Sequence, residues 1–198
     1  RGCSFHHNYG VALSANYAPN VELSENNVFM AVDNGIAVGN SFDVTINNNL
    51  VSSVVENWYY QDQYLNMHNF DIDGKYMPAG ISAWEEVTFT SFKRNAVYGI
   101  QGPAYEYAGE ACTVDEVGAS ASAGSIAENN YAHGSIYGIK NLFAPVDSTC
   151  TKFAGFRISR IMSHGVFAIV DAEHTVVDNV DIQDTVVGVH IISYKPMA

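Results

Sequence analysis

Apolar and polar positions alternate over short stretches of this chain, and the alternation restarts at a recurring interval. The clearest case lies in residues 21–51. Val21 and Leu23 alternate with polar neighbours, the pair Asn26-Asn27 follows, then Val28 and the run Gly35-Ile36-Ala37-Val38. After a polar turn, Gly39-Asn40-Ser41, the residues Val44, Ile46, Asn48, Asn49 and Leu50 begin the phrase again. The interval is about two dozen residues, within the range of solenoid repeats. Period-two alternation bounded by Asn and Gly predicts short strands, and no helical stripe longer than a turn or two interrupts them. So short a copy cannot bury its own apolar face, so successive copies are expected to stack.

Copies are read at residues 3–13, 21–38, 42–83, 87–100, 126–139, 156–169 and 176–191. Ile136-Tyr137-Gly138-Ile139 answers Val97-Tyr98-Gly99-Ile100, and Gly35, Gly99, Gly138, Gly165 and Gly188 are expected to share one position before an apolar strand. Equivalent residues recurring in one order place like over like, which favours parallel strands over hairpins. Each turn of chain would lie about 4.8 Å above the last. Asn27, Asn49, Asn130 and Asn179 become candidates for an internal stack of amides. A buried amide without a partner costs on the order of 1–3 kcal/mol, so such a row survives only where its neighbours satisfy it. Three insertions interrupt the copies, at about residues 57–78, 101–125 and 140–152.

Composition narrows the picture. The chain has 198 residues, 47% hydrophobic and 15% charged, which suits one domain with a sizeable core. Nine basic residues against 21 acidic ones give a net charge of -12, without a Lys/Arg cluster, so a nucleic-acid partner is not expected. No run approaches the roughly 18 apolar residues of a membrane span, so this segment itself is not expected to enter a membrane. The start, Arg1 in mid-phrase, and the end, Met197-Ala198 after the last strand, read as a piece of a longer protein. Of three cysteines, Cys112 and Cys150 lie in polar, loop-like sequence and Cys3 in a strand phrase. Pairing of the two loop cysteines would mark an oxidising compartment; three free thiols is the alternative.

The phrases GCSFHHNYGVALS, ENNVFMAVDNGIAV and NNNLV together resemble the parallel β-helix region of the fibrocystin and fibrocystin-L family, which is related to the G8-domain cell-surface hyaluronidases. The likeness continues through Gly109-Glu110-Ala111-Cys112 and through residues 129–139 into the Cys150 segment. It implies an all-β, right-handed parallel β-helix of about seven rungs within a large ectodomain anchored at the cell surface, in several members at cilia or flagella. It also implies that Cys112 and Cys150 belong to the family's paired loop cysteines. The Tyr/Asn-rich first insertion and the Ala/Ser tract of the second depart from the vertebrate members.

Candidate chemistry is sparse. His133, between Ala132 and Gly134, has the residue type of an acid/base or a metal ligand, but no carboxylate stands near it in sequence. His6-His7 is weaker, because adjacent strand residues point to opposite faces. Asp71 and Asp73, with Asp62 nearby, offer oxygens to Ca²⁺ but lack the EF-hand spacing, and a solvated turn is the favoured reading. Asp178 and Asp181, with Asp171 or Glu173, would be the carboxylates of a glycan-cleaving site, a reaction that in most families needs two at a defined gap. Trp58, Tyr59, Tyr60 and Tyr64, with Phe70, suit a protein contact or stacking on sugar faces, and equally a lid over the coil. The expected role is therefore non-catalytic: a rod making contacts with other extracellular chains, copies of itself or a glycan, and needing no cofactor. A carbohydrate-active enzyme is the rival.

Overall fold

A computed structural model describes residues 1–56, 77–112, 126–141 and 150–193. They form fifteen strands: β1 (Ser4–Asn8), β2 (Leu13–Asn16), β3 (Glu22–Ser24), β4 (Asn27–Val32), β5 (Ile36–Asn47), β6 (Leu50–Val55), β7 (Ile81–Lys93), β8 (Ala96–Tyr98), β9 (Pro103–Glu106), β10 (Glu110–Ala111), β11 (Ala127–Glu128), β12 (Asn130–His133), β13 (Tyr137–Asn141), β14 (Cys150–Val170) and β15 (His174–Ser193). No helix occurs among the described residues. All fifteen belong to one open sheet, and the named pairings are parallel except β10 with β14.

The pairings fall into three columns that the chain visits in the same order each time. In the first, β1, β4, β6, β8 and β12 lie side by side, followed by β14 at Phe156 and β15 at Val180. The second holds β2, the start of β5, the start of β7, β9, β13, and then β14 and β15 from His164 and Val187 onward. The third holds β3, the end of β5, the end of β7 and β11. Long strands such as β5 and β14 therefore serve two or three columns, bending between them.

The bends have a conformational signature. Gly2, Glu25, Asn48, Arg94, Asn129, Gly155 and Asn179 all adopt left-handed backbone, with φ from 48° to 74°, and each stands one or two residues before the first-column strand. His7, Met30, Ser53, Gly99, Gly134, Arg160 and Asp184 do the same at the other end, with φ from 52° to 66°. This conformation costs an L-residue roughly 1–2 kcal/mol. Glu25, Arg94 and Met30 occupy it because the hydrogen bonds above and below impose it, for example Glu25 N–H to Asn47 O at 3.0 Å and Arg94 N–H to Glu128 O at 2.9 Å.

Immediately after the first bend runs a buried amide ladder of Asn26, Asn49, Asn95 and Asn130. In each step the lower Asn donates its backbone N–H and its Nδ2 to the next Oδ1: Asn26 to Asn49 at 3.0 Å, Asn49 to Asn95 at 3.1 and 3.0 Å, Asn95 to Asn130 at 3.1 and 3.0 Å. The steps span 23, 46 and 35 residues, so the ladder keeps its place across insertions of different length. Asn49 and Asn130 stand where the repeat predicts. Asn27 does not: it is the exposed neighbour of the ladder residue, and Asn179 is a left-handed corner. Past Asn130 the ladder position passes to Phe156, beside which Phe92, Tyr105, Tyr107 and Phe153 pack as an aromatic cluster. The Tyr105 hydroxyl lies 2.8 Å from Asn95 O, which links the two parts of the core.

The shared glycine position also differs from expectation in one member. In the second column the residues one place before Ile36, Ile81, Ile139, Val166 and Val189 are Gly35, Gly80, Gly138, Gly165 and Gly188, with Ala12 before Leu13 and Ala104 before Tyr105 in the remaining turns. A Cβ on Gly138 would sit 2.5 Å from both Gly165 O and Ile158 Cγ2, so this row must be nearly bare. Gly99 belongs instead to the second row of left-handed corners. The match of residues 136–139 to residues 97–100 is accordingly one of letters only: Val97 pairs with Ala132 and Tyr98 with His133. Residues 103–106, placed by the sequence inside the second insertion, form β9 within the second column.

Candidate functional site

The carboxylates picked from the sequence that fall within the described residues are scattered rather than gathered. Trp58, Tyr59, Tyr60, Tyr64, Phe70, Asp62, Asp71 and Asp73 lie outside the described residues. Asp178 faces Lys152, with 3.8 Å between Oδ2 and Nζ, and its side chain is mostly exposed. Asp181 accepts from Gln183 Nε2 at 3.3 Å and stands opposite Arg157 in the register. The two aspartates thus have separate partners, and Asp171 and Glu173 are exposed. Among the described residues, no group of three His, Cys, Asp or Glu side chains could hold a metal ion.

Cys112 and Cys150 form a disulfide, with their Cα atoms 5.6 Å apart. Both are buried, and the bond joins the end of the β10 segment to the start of β14, where β10 and β14 run antiparallel. Cys3 is free and exposed. A buried disulfide fits an extracellular or cell-surface protein.

His133 lies on the outer face of the first column. Its Nδ1 is 3.0 Å from Ser159 Oγ and its ring stacks on Tyr131 at 12°, with Tyr98 on the adjacent strand 5.4 Å from Tyr131. Tyr131 Oη also reaches Ser159 Oγ, at 3.2 Å. The partners of His133 are thus hydroxyls and rings. His6 and His7 do converge, with their Nδ1 atoms 3.1 Å apart, because the left-handed backbone of His7 breaks the strand alternation.

The most chemically dense face is the outside of the second column, which residue-type reasoning passed over. The bend at the glycine row brings residues on either side of it together on one side of the sheet: half-buried Tyr137 and His164 from before the glycine, and buried Lys140 and Phe167 with exposed His190 from after it. Lys140 Nζ sits 5.2 Å over the Tyr137 ring, His164 stacks on Tyr137 at 17°, and Phe167 meets both His164 and His190. Further along the same row, the Ser82 hydroxyl donates to Glu106, which pairs in register with Lys140. Burial pushes the Glu106 carboxyl up to about 7, against the opposing effects of the Ser82 bond and the Lys140 charge. Burial and the adjacent His190 hold His164 below the usual histidine range. A sequence signal for this face existed in His164-Gly165 and Gly188-Val189-His190, two histidines beside the glycine of successive copies.

These features define an all-β protein built of parallel strand columns, with a buried disulfide joining the β10 segment to β14. The chain is similar to mouse fibrocystin-L, 26% identical over 201 residues, a stretch covering 99% of this chain and 4% of that protein. The similarity runs along nearly the whole of this chain, which spans a small part of that relative. No protein-family model matches the chain, and no solved structure matches it.

Proposed function

We propose that residues 1–198 are a single stretch of right-handed parallel β-helix, about seven rungs with three insertions, serving as a non-catalytic structural and interaction module of an extracellular, membrane-anchored fibrocystin-like protein. The observation that carries this reading is the double row of left-handed corners, which recurs seven times in one register. A wound rod has the same bend at the same place in each turn, and it needs regular levels rather than a reaction centre. The similarity to fibrocystin-L and the buried disulfide support a cell-surface setting, with cilia or flagella as candidate locations. Contacts with other extracellular chains or with copies of itself are assigned to the insertions, including the Trp58, Tyr59, Tyr60 and Tyr64 cluster. Incubation with hyaluronan and with pectin is the test: polymer length stays unchanged, whereas depolymerisation abolished by Asp178→Asn or Asp181→Asn overturns the reading.

A glycan-binding role without turnover is favoured by one observation, the strip of Tyr98, Tyr131 and His133 on the outer face of the first column. Rings beside hydroxyls can stack on a sugar face and bond to its edge. A glycan array probed with the chain and with Tyr131→Ala and Trp58→Ala distinguishes the strip from the first insertion.

A further inference from the structure

His164 Nε2 and His190 Nδ1 lie 3.3 Å apart on neighbouring turns. We propose that these two atoms bind a transition-metal dication of the Zn²⁺ and Cu²⁺ class. Two ligands at about 2.0–2.1 Å on a tetrahedral ion are separated by roughly 3.3–3.4 Å, which is the spacing already present. Imidazole nitrogen suits Zn²⁺ and Cu²⁺, whereas Ca²⁺ takes oxygen.

The surroundings orient His164 and set His190 against Phe167. Ser163 Oγ is 2.7 Å from His164 Nδ1, the type of outer hydrogen bond that orients a ligating histidine and selects its tautomer. With Nδ1–H donated to Ser163, His164 presents the Nε2 lone pair toward His190. Tyr137 stacks on the far side of His164, its ring centre 5.8 Å away, and Phe167 stands 5.2 and 5.4 Å from the two imidazoles. The His rings themselves lie 27° from parallel, so both lone pairs reach a common ion after a rotation about χ2, a soft torsion in histidine.

The proton balance is simple. In the metal-free pair one N–H is shared between the facing nitrogens. On binding, His190 carries its proton on Nε2 and His164 carries its own on Nδ1, so two neutral imidazoles bind one dication and no net proton is released above the imidazole pKa. The chain's net charge of -12 raises the local concentration of cations. Water or a donor from another molecule completes the coordination, so the site is open on its outer side.

The experiment is titration of the purified chain at pH 7.4 with ZnCl₂ and CuCl₂, followed by calorimetry and by the imidazole resonances of the individual histidines. The expected result is one saturable site, with the His164 and His190 resonances shifting together. His164→Gln and His190→Gln each weaken binding at least tenfold while leaving the metal-free unfolding midpoint within a degree or two. The double variant His6→Gln/His7→Gln retains the site. Binding that follows the His6 and His7 resonances instead, or that survives both His164→Gln and His190→Gln, overturns the proposal, as does the absence of saturation at millimolar metal.

Discussion

Asn49 Oδ1 accepts two hydrogen bonds from Asn26, one from its backbone N–H and one from its side chain, both at 3.0 Å, across 23 residues of sequence. The same double bond is made from Asn49 to Asn95 and from Asn95 to Asn130. Each amide is thus donor to one neighbour and acceptor from another, and removal of one member leaves groups unpaired on both sides.

Asn95→Ala strips the acceptor from the Asn49 backbone N–H and Nδ2 and a donor from Ile46 O, and leaves Asn130 Oδ1 with only the backbone N–H of residue 95. With several buried polar groups orphaned, the expected loss of stability is about 2–4 kcal/mol. Asn27→Ala, on the exposed side of the same corner, changes stability by less than about 0.5 kcal/mol. Urea denaturation of the two variants checks the contrast.

The glycine row predicts a graded response. Gly138→Ala places a methyl 2.5 Å from Gly165 O and Ile158 Cγ2, and the overpacking costs about 1–3 kcal/mol. Gly188→Ala occupies the same row on the last strand, where nothing lies within 4 Å, and is expected to be neutral. Equal destabilisation by both substitutions, measured by thermal unfolding, would contradict the stacking of that row.

Glu106 links stability to pH. Its carboxyl is raised from 4.5 to about 7 in the folded chain, chiefly by burial. The folded state therefore binds more protons than the unfolded state between those values, and stability falls as pH rises through that window. The contribution is fully present below about pH 4.5 and is lost once pH passes about 7. Asp33, raised to about 6 by burial, adds a parallel effect beginning near pH 3.8. Glu106→Gln keeps an acceptor for Ser82 and removes the titration, so its unfolding free energy is flatter from pH 4.5 to 7 than that of the wild type.

The disulfide closes a separation of 38 residues, and the loop-entropy relation gives it about 4 kcal/mol of stabilisation. The paired Cys112→Ala/Cys150→Ala variant is expected to lose about 2–4 kcal/mol. Under native conditions a maleimide labels Cys3 alone, and all three thiols react after reduction in denaturant. Native labelling of Cys112 or Cys150 would show the bond is absent.

The repeat, the strand class and the parallel stacking were all legible in the alternation of residues 21–51, because a solenoid writes its period directly into the positions that face inward. Asn49, Asn130, Gly138 and Gly165 were legible for the same reason, whereas the Cys112–Cys150 bridge was legible from the polar, loop-like setting of its two cysteines. The register was less so. Tyr-Gly-Ile occurs twice, yet Gly99 is a left-handed corner and Gly138 a close-packed bend, two different reasons for the same residue. Asn26 and Asn27 are adjacent letters with opposite fates, one buried and one in solvent, and only the pairing with Asn49 separates them. The corners at Glu25, Arg94 and Met30 left no sign, because backbone pairing rather than residue preference sets their conformation. The His164–His190 approach depends on a bend that places residues three apart along β14 on one side, which a flat alternating strand forbids.

The amide column also sets a length standard for the loops between turns. Each turn must return its Asn to the same height or forfeit two bonds with each adjoining level, so slippage of a turn by one position is opposed in both directions. Segments between those fixed points can grow or shrink freely so long as they begin and end on the mark. Such a chain can acquire new surface appendages without re-engineering its interior.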